Sequence, residues 1–499
     1  MKTSFHHIIV GGGSAGCAVA ARLAEVPGTD VLVLEAGPSD RDLRVRIPFG
    51  LVSLMRSDVR NWKRQTTPMA SAGGRSVSVP RGRMLGGSGS INSMVWFRGR
   101  RDDFTAWSLP GWDADTVWDA FDAVEARMKP ARLAGPHPLS DAFAQAFAAN
   151  DPSAPPTPDR QSAGVFHCNM ARGARWSAAD GFLRPSGASV VTNAEVARVT
   201  FEGSAATGVE LRDGRTFTAP SVILSAGSIE SPMILMRSGI GPGADLRAAG
   251  IEVKIDAPGV GANLHDHPGF GLHFYGPGSG YGLTLSQLPA WALSPLQWAL
   301  TGRGRLASNT VEAGAFFSVT DSDVPEIQTH FLPFAMGWQG RAIIWGAGYF
   351  ADVCLCQPRS RGRLRMGRDP YAPLIDLNLF GDETDLDLMT RGAERLRDIL
   401  AKAPLGPRRA PEAFPGPGVT GDALRETIRT RAGTAYHPVG TLALGGPLDA
   451  KGAVKGATGL YVADASVMPR ITSANTNAPS MMIGWQIGGH IARKARKVA

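Results

Sequence analysis

The chain has 499 residues, 43% hydrophobic and 19% charged, with a formal net charge of +8. That balance excludes a disordered or fibrous chain and leaves room for two or three cores, and no uncharged apolar run approaches the roughly 18 residues of a membrane span. The basic residues are spread along the chain apart from Arg493–Lys497, which reads as a solvated helix end, so no nucleic-acid partner is expected.

The apolar run Phe5–Val10 predicts a buried strand. Only Met1–Ser4 precede it, which leaves no room for a signal peptide and sets a cytoplasmic location as the expectation. Gly11-Gly12-Gly13-Ser14-Ala15-Gly16 follows, then a small-residue helix over Cys17–Ala24 and a second strand, Val31–Leu34, ending at Glu35. Gly11 permits the tight turn, Gly13 lets backbone approach a pyrophosphate, and Gly16 lets the helix pack closely. The helix N-terminus offers free N–H groups to the phosphates, and Glu35 is placed to accept from ribose hydroxyls. The pattern specifies a dinucleotide and leaves NAD and FAD open. The rapid departure into Arg/Pro/Gly-rich loops between Gly37 and Arg83 points to a longer cofactor held by several segments.

Pro80–Asn92 is a second Gly/Ser-rich stretch with many free N–H donors, suited to a ligand cradle or to a mobile surface loop. Amphipathic spacing predicts helices over Ala114–Met128 and Leu139–Ala149, and residues 151–160 read as an extended Pro-rich connection. Ala194–Val199, Val353–Leu355, Leu364 and Ile375–Leu379 read as strands, and Leu386–Ala401 as a helix. Trp62, Trp96, Phe97, Phe331, Phe334, Trp338 and Trp345 are candidates to line a pocket, with Trp96 and Phe334 as candidates to meet a substrate. Cys17, Cys168, Cys354 and Cys356 are expected to be buried thiols. His265-Asp266-His267 invites a metal reading, but Pro268 follows at once and no third distant ligand is apparent; no metal is expected.

Several long motifs stand in order. Pro80–Asn92 resembles the first signature of the glucose–methanol–choline (GMC) oxidoreductases. Ile223–Pro232, running on to Leu235 and Ser238–Pro242, resembles the second. Pro258–His267, Tyr436–Thr441, Val462–Pro469 and Asn475–Pro479 complete the set, closest to the choline-dehydrogenase-like branch. The resemblance implies an α/β fold. It would comprise a Rossmann-type FAD-binding domain, discontinuous over 1–100, 181–265 and 430–499, and a substrate domain of antiparallel sheet plus helices from 101–180 and 266–429.

It also implies FAD rather than NAD, with the Pro80–Asn92 segment at the isoalloxazine and pyrophosphate. The cofactor contacts it implies, beyond Gly11, Gly13, Gly16 and Glu35, are Ser14, Ala15, Ala36, Arg83, Leu85, Gly86, Gly87, Ser88, Met94 and Val95, with Asn92 near the ring. Val196 would meet the adenine through its backbone. Ala226, Gly227 and Tyr436 belong to the same set. Asp464 and Ala465 would sit by the ribityl and phosphate groups, and Thr476 and Asn477 beside the ring. Members with a covalent flavin carry histidine just before the Asn; here Ile91 stands there, so the FAD is expected to be dissociable.

Oxidising an alcohol removes a proton from oxygen and a hydride from carbon, which flavin N5 accepts. His437, with an ordinary pKa of about 6.5, suits a general base and falls on the family's base. Asn475 aligns with the second member of its catalytic pair, donating to the substrate oxygen. The implied activity is FAD-dependent oxidation of a small alcohol, with O₂ or a quinone (or dye) as electron acceptor, in a monomer or small homo-oligomer. The alternatives are a flavin lyase or photodecarboxylase on the same fold and a non-catalytic flavin-binding protein.

Overall fold

A computed structural model describes residues 2–147, 154–335 and 345–496. Trp338, the start of the Pro-rich connection and Lys497 lie outside them, and the helix expected over Leu139–Ala149 is Pro138–Gln145, ending before Ala146.

The short apolar runs of the N-terminal third become strands because both of their faces are covered. A parallel sheet is built in the order Ser189–Val191, Val31–Leu34, His7–Val10, Val222–Leu224, Leu460–Val462, and the middle strands are buried at every residue. The first strand starts at His7 rather than Phe5. Phe5 instead donates its N–H to Thr218 O, and His6 faces solvent.

The first helix, Ser14–Ala24, lies against the last, Asn477–Arg496. Their small residues make that approach possible: a Cβ on Gly484 would stand 2.3 Å from Ala15 O, and one on Gly488 3.2 Å from Val19 Cα. The helix Ala114–Met128, grouped with the substrate part from sequence, also packs on this last helix. Trp107, Trp112 and Gln486 tie the two regions together through hydrogen bonds to Arg470, Ala450 and Gly111 carbonyls.

A second, antiparallel sheet runs Glu412–Phe414, Pro268–Tyr275, Gly348–Leu355, Ile327–Leu332, Ala313–Phe317, Ser162–Val165, with Gly433–Thr434 pairing on Pro268–Tyr275. The helix Glu383–Lys402 covers it with Leu386, Met389, Ala393, Leu396 and Leu400, one stripe at helical spacing. The strand expected to reach Leu379 is Pro373–Asp376. It ends where Asn378 and Phe380 take left-handed backbone conformations (φ +48° and +62°) that a ladder cannot accommodate. All four cysteines are free and buried.

Candidate active site

A cavity of about 690 Å³ opens at the carboxyl ends of the parallel strands, where Val10, Leu34, Ser225 and Asp464 lie, the usual ligand position of such sheets. Three helices begin on its wall, at Ser14, Gly227 and Asn477. Apart from the Gly227 N–H, which donates to Asp464, their free N–H groups lie at positive helix ends where a diphosphate would be neutralised. Gly11 turns with φ +103°, and a Cβ there would lie 2.5 Å from Ser225 O. The two Gly-rich segments meet directly: Gly86 N–H donates to Gly12 O (2.7 Å), and a Cβ on Gly87 would stand 2.8 Å from Gly13 Cα.

Polar groups around this cradle are held but not exhausted. Glu35 accepts from Gly12 N–H (3.0 Å) and Gly37 N–H (2.9 Å), two of the roughly four sites a carboxylate offers; burial raises its pKa against those two bonds. Asp464 accepts from Gly227 N–H, Ser231 Oγ and Ser466 N–H, and burial raises its pKa as well. Ser14 Oγ donates to Asn477 Oδ1 (2.7 Å), while Asn477 Nδ2 is buried with no partner. Such an orphaned donor on a cavity wall fits an acceptor-rich ligand, and the donor set as a whole fits FAD.

Of the expected cofactor residues, Gly11, Gly13, Ser14, Ala15, Glu35, Ala36, Gly87, Ser88, Asn92, Met94, Val95, Val196, Ala226, Gly227, Tyr436, Asp464, Ala465, Thr476 and Asn477 lie on the wall. Gly16, Arg83, Leu85 and Gly86 do not. Gly16 backs onto Gly11, where a Cβ would meet the carbonyl oxygen at 2.0 Å. Arg83 pairs with Glu195 (3.2 Å) and covers the Trp62 ring. Leu85 fills the space beside Gly12. These four shape the cradle from behind.

At the other end His437 and Asn475 stand together, with Asn475 Nδ2 3.2 Å from His437 Nε2. Their proton positions follow from the neighbours. His267 Nε2 is 3.0 Å from Thr472 O, a group that only accepts, so His267 carries its proton there. Its Nδ1 therefore accepts, and His437 Nδ1–H donates to it across 3.0 Å. The lone pair of neutral His437 is left on Nε2, facing the Asn475 amide. Burial holds the His437 pKa well below its ordinary value, with His267, His330 and Arg81 adding like charge.

The Asn475 amide is oriented from its other end. Gln328 Nε2 donates to Asn475 Oδ1 (3.0 Å), and His330 Nε2 is 3.4 Å from the same oxygen. His330 Nδ1 lies 3.1 Å from both oxygens of Asp352. Both ring nitrogens thus face acceptors. Burial lowers the His330 pKa, but Asp352 and Asn475 outweigh it, and the net shift is upward.

The segment carrying His437 is fixed by Asp266, whose Oδ1 accepts from His437 N–H (2.8 Å) while its other oxygen takes the Thr434 hydroxyl. Burial pushes the Asp266 carboxyl up to about 6, against Thr434 and Arg81. Tyr436 sits at φ +67°, a conformation sustained by Thr434 Oγ1 accepting its N–H (2.7 Å) and by the Arg81 guanidinium at its carbonyl.

The His265-Asp266-His267 triplet is therefore consumed in positioning: His265 bonds Asn263 O and Ile471 N–H, and the other two hold His437. Gln328, His330 and Asp352 were not singled out from sequence. The candidate aromatics divide. Trp62 lines the cavity, together with Phe270 and Phe350. Trp96, Phe97, Phe331 and Phe334 do not: Trp96 bonds Glu125 (2.8 Å), Phe97 packs on Phe166 and Phe316, Phe331 stacks on Phe143, and Phe334 meets Phe49. Trp345 is 66% exposed.

The chain matches the GMC oxidoreductase family over residues 5–269, its N-terminal part, and 358–484, its C-terminal part. It is 34% identical to an alcohol dehydrogenase [acceptor] of Pseudomonas putida, over 98% of this chain and 96% of that protein. It is 35% identical to an oxygen-dependent choline dehydrogenase of Rhizobium rhizogenes over the same shares. Among solved structures, pyridoxine 4-oxidase from Mesorbium loti superposes with a TM-score of 0.85 at 27% identity, over 99% of both chains. Formate oxidase of Aspergillus oryzae reaches a TM-score of 0.89 over 100% of this chain and 99% of that one. At 24% identity that likeness shows the fold alone.

Proposed function

Because the chain belongs to the GMC oxidoreductases, we propose that it oxidises an uncharged, apolar alcohol to a carbonyl, with FAD held without a covalent bond. The observation that carries the reading is the Nε2 lone pair of His437, fixed by its hydrogen-bond chain and opposed by the Asn475 amide on the cavity wall. FAD, when bound, supplies the hydride acceptor. His437 Nε2 takes the hydroxyl proton, and the resulting imidazolium keeps its Nδ1–H on His267. The Asn475 amide donates to the substrate oxygen as negative charge grows there. Ile91 is 4% exposed and packs with Val45, Leu54 and Met84, which supports a dissociable cofactor.

The wall speaks to the substrate. Its carboxylates are engaged: Glu35 and Asp464 with backbone amides, Glu195 and Glu230 with Arg83 and Arg64, Asp352 with His330. Val311, Leu332, Phe270 and Phe350 add apolar surface. A quaternary ammonium would find no free carboxylate among these, so apolar alcohols are favoured over choline. The same reading includes electron release to O₂ or a quinone. It also divides the chain into a cofactor part (1–100, 181–265, 430–499) and a substrate part. A cytoplasmic location belongs to it too, supported by four free thiols; no helix among the described residues is long and apolar enough to cross a membrane.

The decisive experiment is anaerobic mixing of the FAD-loaded enzyme with an alcohol panel. Apolar primary alcohols are expected to bleach the flavin, and choline to do so far more slowly. Bleaching by no alcohol would remove the reading in favour of a flavin-binding or lyase role. The pH dependence gives a second check. The base must be neutral, so kcat/KM rises with pH through the free-enzyme pKa of His437. Since that pKa lies well below its ordinary 6.5, the rise is expected at acidic pH with a plateau through neutrality. An acid limb centred above the ordinary imidazole value would contradict the assignment.

A further inference from the structure

The helix Leu288–Thr301 inverts the usual arrangement of a surface helix. Its inward side is Trp291, Ser294 and Trp298, whose polar atoms are spent locally: the two indole N–H groups donate to Gly282 O and Gly173 O, and Ser294 Oγ to Ala290 O. Its outward side is leucine. Leu293, Leu296 and Leu300 are 63%, 59% and 76% exposed, and Leu285, just before the helix, is 77% exposed. Trp345, also exposed, stands near Leu285 at the start of this segment, since its neighbour Gly346 exchanges backbone hydrogen bonds with Leu283. Soluble surfaces seldom leave so many large apolar side chains together without a partner.

We propose that this face docks the protein on an anionic lipid surface. Three features choose a bilayer over a second copy of the chain. Pro295, Gln297 and Ala299 separate the exposed leucines, so one amide is the little polar chemistry available to set the register and rim that a protein interface uses. The charge is complementary: between Asp266 and Asp321 the only acidic residue is the buried Glu312, while Arg303 and Arg305 follow the helix directly. Leucine and tryptophan on the apolar side with arginine at the margin is the composition of interfacial helices. The helix also backs onto the cavity wall. From its inward side Trp291 packs on Phe49 (5.2 Å between ring centres), and Phe49 leads into Leu51 and Val52 of the cavity wall. Docking there brings the apolar cavity to the lipid, from which an apolar alcohol or a lipid-soluble acceptor can enter.

The test is sedimentation of the FAD-loaded full chain with vesicles of phosphatidylcholine alone or mixed with phosphatidylglycerol. It requires no turnover, so its result stands apart from the alcohol assay. Wild-type protein is expected to sediment with the phosphatidylglycerol vesicles, less so at high salt. The double variant Leu293→Glu/Leu296→Glu is expected to bind at least ~10-fold more weakly while its yellow spectrum and its turnover of a short soluble alcohol stay unchanged. Should the variant lose its flavin, a fluorophore on Leu300→Cys decides, because the four native cysteines are buried: lipid-borne quencher should darken it. Absence of vesicle binding, equal binding by the variant, an unquenched label, or a dimer dispersed by the variant without vesicle binding would each overturn the proposal.

Discussion

His437→Ala is expected to keep its FAD and lose roughly 10²–10⁴-fold in the rate of anaerobic flavin reduction by alcohol, equivalent to about 3–5.5 kcal/mol of barrier. The neighbours explain why no other group replaces it. Asn475 presents an amide with no basic lone pair toward the substrate, and both ring nitrogens of His330 are taken up by Asp352 and the Asn475 oxygen. His267 Nδ1 is the remaining lone pair, and it points at the vacated ring. A water in that space can relay a proton to it, which sets the lower end of the range. Rapid mixing reads the reduction step directly, and the flavin spectrum certifies that the site is intact. Wild-type reduction rates in a fully yellow variant would remove His437 from the chemistry and return attention to a lyase, which needs no alcohol base.

The parts of this site legible in sequence are those whose chemistry is local. A Gly-rich turn between a buried strand and a small-residue helix states its task within a dozen residues, and Glu35 closes the next strand where the pattern places it. His437 and Asn475 are local only through the motifs around them. What went unread depends on strand pairing. Gln328 and His330 share one face of their strand by alternation, but nothing in the run Ile327–Leu332 says that this face meets Asp352 from the paired strand and Asn475 from a distant loop. The triplet at His265 invited a metal reading, set aside for want of a third ligand, and its positioning role stayed unread because residue type is visible and partners are not. Of the candidate aromatics Trp62 reaches the cavity, and the others miss it for a simpler reason: large rings default to the core, where Trp96, Phe97 and Phe331 sit. Gly16 and Gly86 show that a glycine motif serves packing as much as ligand contact.

Gly13→Ala tests the cofactor's position with the protein's own packing held nearly constant. Gly13 has φ −79° and ψ −169°, which any residue adopts, and a Cβ there would meet only Gly87 Cα and Ser225 O, both at an ordinary 3.9 Å. The apoprotein should therefore unfold at its wild-type temperature, within about 0.5 kcal/mol. FAD affinity should nevertheless fall roughly 10–100-fold, because a methyl group would occupy the space claimed by a pyrophosphate and force the cradle apart. Gly87→Ala separates the two effects. It has φ +55° and a Cβ 2.8 Å from Gly13 Cα, so it strains the backbone with or without ligand and should lower both FAD affinity and apoprotein stability. Titration of the two apoproteins with FAD, beside their thermal unfolding, distinguishes ligand exclusion from damaged packing. Wild-type FAD affinity in Gly13→Ala would mean that the pyrophosphate passes elsewhere, and the convergence of the three helix N-termini would then need another explanation.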